Sequence, residues 1–319
     1  MGGGVRPGIL LGIYVGIFAG AAGACRHAVG PGTILPGDKT PATVDSGGDR
    51  TAAHTDPLSI VVDGWTRNLI VHVPAGASGP RPLVFNLHGS GGTAAAQQSF
   101  SAMDPVADAN QFIVAYAEGA IALGGGFAWN VPGQPLSGGG AVPDGAADDV
   151  SFFAQAMTLL AQRYPIDARR IFVTGMSGGA RMASQLGCNL SDTVAAIAPV
   201  AGLRFPAPCG QRPVPAVSFH GTADLTNPYD GGGPSYWTYS VPSAAQQWAD
   251  HDGCGATPDV SQPLDDVTLT SYPDCAGGST VALYTIAGAG HEWPGAPGQT
   301  PAIDASNVMW AFFAAHPLP

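Results

Sequence analysis

From about residue 57 onward, short apolar runs alternate with stretches of helical periodicity. Two strand-like runs, Leu58–Asp63 and Trp65–Val73, flank Gly64 and predict an antiparallel hairpin at a sheet edge, closed off by Pro74. Pro82–His88 has the unbroken apolar character of a buried strand and ends in Gly89-Ser90-Gly91-Gly92, and Phe112–Tyr116 reads as another strand. A glycine-rich loop follows, from Gly124 to Asp144. Asp148–Tyr164 carries Phe152, Phe153, Ala156, Leu159, Leu160 and Tyr164 at helical spacing and stops at Pro165. Arg170–Met176 predicts a strand, and the segment after Ser177 is rich in good helix formers. Residues 194–200, 214–220 and 280–286 read as further strands. Val241–Ala249 and Ala305–Ala315 read as helices, the latter with Val308, Trp310, Phe312 and Phe313. Strands alternating with helices after an opening hairpin predict an α/β fold, a mostly parallel central sheet with helices on both faces. No internal repeat stands out.

The first 56 residues follow a different pattern. After Arg6 an uncharged, apolar stretch runs from Ile9 to Ala24. It is short of the roughly 20 residues a membrane-spanning helix needs, and it ends in small residues, so residues 1–24 are expected to be a signal peptide. Ala22-Gly23-Ala24-Cys25 resembles a bacterial lipobox, in which the cysteine is lipidated and becomes the new N-terminus; Ala22 departs from the usual leucine. The expected product is a cell-surface lipoprotein anchored through Cys25, with plain secretion and a retained anchor as alternatives. Residues 25–56 are rich in Gly, Pro, Thr and Asp without apolar period and predict a flexible linker. Residues 57–319 are then the folded domain.

Charge and cysteine content narrow the chemistry. The net charge is −11, with only 12 Lys and Arg and no basic stripe, which argues against nucleic acid as a partner. There are five cysteines. With Cys25 lipidated, Cys188, Cys209, Cys254 and Cys275 remain for two disulfides in an exported protein. Sequential pairing would close two short loops, but three connectivities are possible and the sequence does not choose among them. A tetrathiolate zinc site is the rival, and no C-x2-C pair supports it. No other cluster has metal-ligand spacing, so neither metal nor cofactor is expected.

Between the strand at 170–176 and the helix after it stands Gly175-x-Ser177-x-Gly179. In a chain with 46 glycines the pattern alone is weak. Its placement at a strand-to-helix turn is what a nucleophile elbow requires, because that turn lifts a serine hydroxyl clear of the sheet. Serine chemistry also needs a base, an acid to orient the base, and donors for an oxyanion. In an α/β-hydrolase these follow in the order Ser, acid, His, each on a loop after a strand. Asp224, just past the strand at 214–220, is the eligible acid, with Asp230 as substitute. His291, just past the strand at 280–286, is the eligible base, with His251 and His316 as rivals. His88 and His220, before glycines at strand ends, read as structural loop-formers. Gly178 N–H and the backbone of Ser90 are the expected oxyanion donors. Trp293, two residues after His291, and Trp129, in the glycine-rich loop, are candidate walls of a substrate pocket.

These motifs occur together with Trp129-Asn130, Asp148-Asp149-Val150, Tyr164-Pro165, Ala198-Pro-Val-Ala201, Pro228-Tyr-Asp-Gly-Gly232 and Gly290-His-Glu-Trp-Pro-Gly295. In that order, over about residues 56–317, the chain resembles the polyhydroxyalkanoate-depolymerase-like esterases, related to feruloyl and acetyl-xylan esterases of the carbohydrate-esterase type. The resemblance implies an α/β-hydrolase fold and an extracellular serine esterase without cofactor, acting on phenolic, acetyl-sugar or short hydroxyalkanoate esters. Many relatives have cysteine at the position of Ser90, so a disulfide made there is absent here. Two other functions stay open: acyl transfer to a sugar, and a non-catalytic surface lipoprotein.

Overall fold

The computed structural model describes Met1, residues 52–76 and residues 79–319. All of the expected signal peptide after Met1, Cys25 and most of the expected linker lie outside the described residues. Strand β1 (His54–Val62) meets β2 (Trp65–Val73) across a two-residue turn, Asp63-Gly64, whose left-handed backbone (φ 51 and 82) suits a tight hairpin. The ladder extends to His54 opposite Val73, and Tyr164 donates to the Asp56 carboxylate at 2.8 Å. Residues 54–56, expected in the linker, therefore belong to the sheet: β2 offers backbone partners that far, whatever the side chains opposite it.

The chain continues through β3 (Arg81–Leu87), α1 (Ala94–Ser101), α2 (Met103–Asn110), β4 (Ile113–Ala117), the small hairpin β5 (Ile121–Leu123) and β6 (Gly126–Ala128), and α3 (Asp149–Arg163). Then come β7 (Ile166–Met176), α4 (Gly178–Asn189), β8 (Ala196–Val200), β9 (Ala216–Gly221) and α5 (Val241–His251). The hairpin β10 (Asp259–Leu264) and β11 (Val267–Tyr272), β12 (Val281–Ile286) and α6 (Ala305–Ala315) complete it. Ten strands form one sheet in the order β1-β2-β4-β3-β7-β8-β9-β12-β11-β10. The six from β4 to β12 are parallel, and antiparallel pairs flank them on both sides.

Alternate residues of the central strands feed two cores, as the two-residue period requires. Leu83, Phe85 and Val173 pack with Phe152 and Phe153 of α3, Met182 and Leu186 of α4 and Trp248 of α5. Val84 and Phe172 face the other side, with Met103 of α2 and Met309 and Phe313 of α6; Phe172 stacks on Phe313 at 4.6 Å. A buried ion pair fastens the edge hairpin to α3: Arg67 donates to Asp149 at 2.5 Å while its guanidinium lies 3.8 Å over the Phe152 ring. Asp149 also accepts the Asn130 amide at 2.6 Å, so it anchors the loop before α3 as well.

The cysteines pair sequentially, Cys188–Cys209 and Cys254–Cys275. Each closes a short loop, a constraint worth about 3 kcal/mol against the unfolded chain.

The strand register decides where chemistry can gather. Leu87 of β3 lies opposite Gly175 of β7, and Met176 opposite Val200 of β8. Val200 is in turn opposite Phe219 of β9, and Gly221 opposite Ile286 of β12. The carboxyl ends of five strands, β3, β7, β8, β9 and β12, therefore align at one edge of the parallel sheet, the edge where open α/β sheets place their sites.

Candidate active site

Ser177 sits between β7 and α4 with φ 55 and ψ −111, a conformation that costs a non-glycine residue about 1–3 kcal/mol. Its N–H bonds to Val200 O at 2.9 Å, and its carbonyl accepts from Arg181 N at 3.0 Å. The turn closes only because its flanks lack side chains. A Cβ on Gly179 would lie 2.6 Å from the His88 carbonyl oxygen, and one on Gly175 would lie 2.7 Å from that of Leu87. The Ser177 hydroxyl makes no capping bond to its own helix.

Asp224 and His291 stand on the loops after β9 and β12. The two loops are zipped together by Thr222 N to Ile286 O at 3.0 Å, Ala223 N to Ala289 O at 2.9 Å and Gly288 N to Thr222 Oγ1 at 2.9 Å. As a result His291 Nδ1 lies 2.7 Å from Asp224 Oδ2. An ionised carboxylate only accepts, so Nδ1 carries the proton and Nε2 is left with a lone pair. The Asp224 side chain is fully buried, that of His291 partly exposed. Burial alone would raise the Asp224 pKa, but hydrogen bonds from His220, His291 and the Asn227 backbone outweigh it and hold the carboxyl well below the usual range. Its other oxygen accepts the amides of Thr226 and Asn227, each at 2.8 Å. Among the described residues no hydrogen bond joins Ser177 Oγ to His291; such contacts often tighten only when substrate binds.

The rivals are engaged elsewhere. Asp230 is exposed on the loop beyond. His251 bonds to Asp252 and to the Gly210 carbonyl, and His316 to the Phe312 carbonyl and Thr280. His88 has its Nδ1 2.8 Å from Gly89 O and accepts the Gly119 amide on Nε2 at 3.0 Å; burial pulls its pKa down to about 4, so it is neutral and braces the loop after β3. His220 does more than shape a loop. Its Nε2 lies 2.8 Å from Asn227 O and 3.3 Å from Asp224 Oδ2, placing a second imidazole on the acid. The i, i+4 spacing of His220 and Asp224 is the signal in the sequence that could have revealed it.

Ser90 and Gly178 meet at the same edge. A Cβ on Gly178 would lie 3.1 Å from Ser90 N, so the amide after β3 sits beside the start of α4. Gly91 and Gly92 spend their N–H groups on Phe127 O and Gly89 O. Those of Ser90 and Gly178 have no hydrogen-bond partner among the described residues. Two unspent donors flank Ser177.

The tryptophans depart from the expectation that they wall a pocket. Trp293 is fully buried, with its indole N–H on Ser306 Oγ at 2.9 Å. Trp129 is 3% exposed, lies with its ring tilted against that of His88 at 4.7 Å between centroids and donates to the His88 carbonyl at 2.8 Å. Each indole has found its polar partner inward, so the rings pack beneath the His291 and Ser90 loops and offer no face to a substrate. The large apolar side chain exposed at this edge is Leu225, 93% accessible beside Asp224.

Comparison with known proteins gives the chain a lineage. Residues 68–211 match the family described as Esterase PHB depolymerase. The chain is 32% identical over 243 residues to feruloyl esterase B of Piromyces equi, covering 70% of this chain and 42% of that protein. It is 30% identical over 268 residues to "Putative esterase NocK" of Nocardia uniformis subsp. tsuyamanensis, covering 76% of this chain and 75% of that one. Poly(3-hydroxyalkanoate) depolymerase C of Paucimonas lemoignei is 29% identical, and the match spans 58% of its length. Among solved structures, an acetyl xylan esterase from Aspergillus awamori superposes with a TM-score of 0.59 over 82% of this chain and 99% of that one, at 17% identity, a likeness of fold. The fold is that of the α/β-hydrolase esterases, and the chain belongs to the PHB-depolymerase-type esterase family.

Proposed function

We propose that this protein is an exported serine esterase that cleaves carboxylic esters through an acyl-enzyme. The observation that carries the reading is the 2.7 Å contact between His291 Nδ1 and Asp224 at the sheet edge where Ser177 is held in a strained turn. In this scheme Ser177 Oγ attacks the ester carbonyl carbon while its proton passes to His291 Nε2. The carbonyl oxygen, now an oxyanion, accepts from Ser90 N–H and Gly178 N–H. Collapse of the intermediate breaks the bond to the alcohol, which leaves with the proton from His291. Water then repeats the sequence on the acyl-Ser177 ester and frees the acid. Asp224 holds the imidazole in the tautomer that both halves need.

Relatives named feruloyl esterase, acetylxylan esterase and depolymerase point to phenolic, acetyl-sugar or short hydroxyalkanoate esters as the substrate class. An ester panel spanning these three classes, with the acid product quantified in the presence and absence of a sugar acceptor, tests the reading. Turnover of at least one class with free acid as product is expected. Acyl-sugar as the main product would make the protein a transferase instead.

The two disulfides fit an oxidising compartment. Lipid on Cys25 would place the enzyme at the cell surface, tethered by residues 26–53. Mass spectrometry of the mature N-terminus is expected to give a diacylated Cys25, and Cys25→Ser to release the protein or block its processing. An unmodified N-terminal residue would exclude the anchor.

A further inference from the structure

Arg181 and Arg204 are 3% and 8% exposed, and neither has a carboxylate within 4.0 Å among the described residues; the arginines that do are Arg67 and Arg170. Acids are not scarce, since 23 Asp and Glu accompany 12 Lys and Arg. Buried guanidinium groups are ordinarily paired, because an unpaired charge out of water is costly. These two have only neutral company. Arg204 donates to Gln185 Oε1 at 2.8 Å. Arg181 donates to Ser137 Oγ at 2.7 Å and lies 4.9 Å from the centre of the Tyr236 ring. The Arg181 guanidinium is close enough to lower the proton affinity of Arg204, and both act on the buried Tyr239 phenol. Arg181 Nη1 and the Tyr239 hydroxyl are both buried without a hydrogen-bond partner among the described residues.

This cationic cluster touches the ester site. Ser137 Oγ, which accepts from Arg181, donates to Ser90 Oγ at 2.8 Å, and Ser90 lies against Gly178. Arg181 is on the first turn of α4, its amide bonded to the Ser177 carbonyl, and Arg204 follows the loop after β8 that packs under Ser177. Ser137 belongs to the glycine-rich loop, with Gly133, Gly138 and Gly139 at positive φ.

We propose that Arg181, Arg204 and Tyr239 form an anion subsite that binds a carboxylate carried by the ester substrate, which takes the acceptor position now held by Ser137 Oγ. The proposal rests on the esterase reading above and names a specificity for it: esters whose acyl or alcohol part bears a free carboxylate. A guanidinium fork and a phenol O–H match the two oxygens of such a group, and a neutral ester would leave them unpaired.

The test uses two substrate pairs. On the alcohol side, 4-acetoxybenzoate is compared with its methyl ester, reading acetate release. On the acyl side, mono-p-nitrophenyl adipate is compared with p-nitrophenyl hexanoate. In the wild-type protein kcat/KM is expected to favour the carboxylate member of at least one pair by about tenfold or more. Arg181→Gln and Arg204→Gln should each remove most of that preference. Should either fail to fold, the Lys variants, which keep the charge but lose the fork, should still lower it. A preference under tenfold in both pairs overturns the proposal, as does one that survives substitution at both arginines. Failure to turn over any of the four esters would instead count against the esterase reading itself.

Discussion

Replacing Ser177 by Ala is expected to lower kcat for a simple aryl ester by on the order of 10³-fold or more, with the fold intact. The fold should survive because the Ser177 side chain does not cap its helix, and the turn is held by backbone bonds to Val200 and Arg181. Alanine tolerates that turn no worse than serine does. His291→Ala should cost a similar factor, and the double variant little more, since nucleophile and base act as one unit. The checks are kcat by nitrophenolate release and Tm by circular dichroism on the same preparations. Near-full turnover in the Ser177 variant would remove it as nucleophile. A large loss accompanied by a collapse of Tm would mean that the hydroxyl serves the fold.

Asp224→Asn is expected to lower kcat by about 10⁴-fold, and the geometry says why. One side-chain oxygen of Asp224 accepts two backbone amides, from Thr226 and Asn227. In the variant the amide oxygen must stay on that side, which turns the NH2 group towards His291 Nδ1. Nδ1 must then accept, so the ring proton moves to Nε2 and the imidazole no longer has a lone pair for the serine proton. Lost charge adds to the effect, since the native carboxyl is held ionised far below the usual range. Because the amide is the same size, Tm should change much less than kcat. A loss smaller than tenfold would show that His291 is not oriented by Asp224.

The shared sheet edge of the candidate trio Ser177, Asp224 and His291, and the central strands, were legible because chain order and periodicity carry them. Unbroken apolar runs such as Ile113–Ala117 announce strands buried on both faces, and acid and base follow strands because that is where parallel strands release the chain. Other parts were silent for physical reasons. The face that α1 buries is largely polar: Gln97 and Ser101 bond to Asn86 of β3 at 2.8 and 2.9 Å, so no apolar period marks the helix. Strand β10 is exposed throughout and contains Pro263, and without a buried face there is no alternation to read. The tryptophans misled because proximity in sequence to His291 and to the loop before α3 says nothing about which way an indole points. Arg181 and Arg204 could not be seen as a pair, since only the register of β7 with β8 brings their segments together.

The central claim is that Ser177 is the nucleophile of an ester hydrolase activated by His291. It is tested most directly by covalent trapping. The protein is incubated with a slight excess of a p-nitrophenyl alkylphosphonate, whose phosphorus takes the place of the ester carbonyl carbon. Released nitrophenolate is counted against protein, and the adduct is mapped by peptide mass spectrometry. One equivalent of nitrophenolate is expected, with a single alkylphosphonyl group on Ser177, absent from Ser177→Ala and formed at least ~10²-fold more slowly in His291→Ala. An unlabelled Ser177 in folded protein, or a label on another residue at full occupancy, would contradict it.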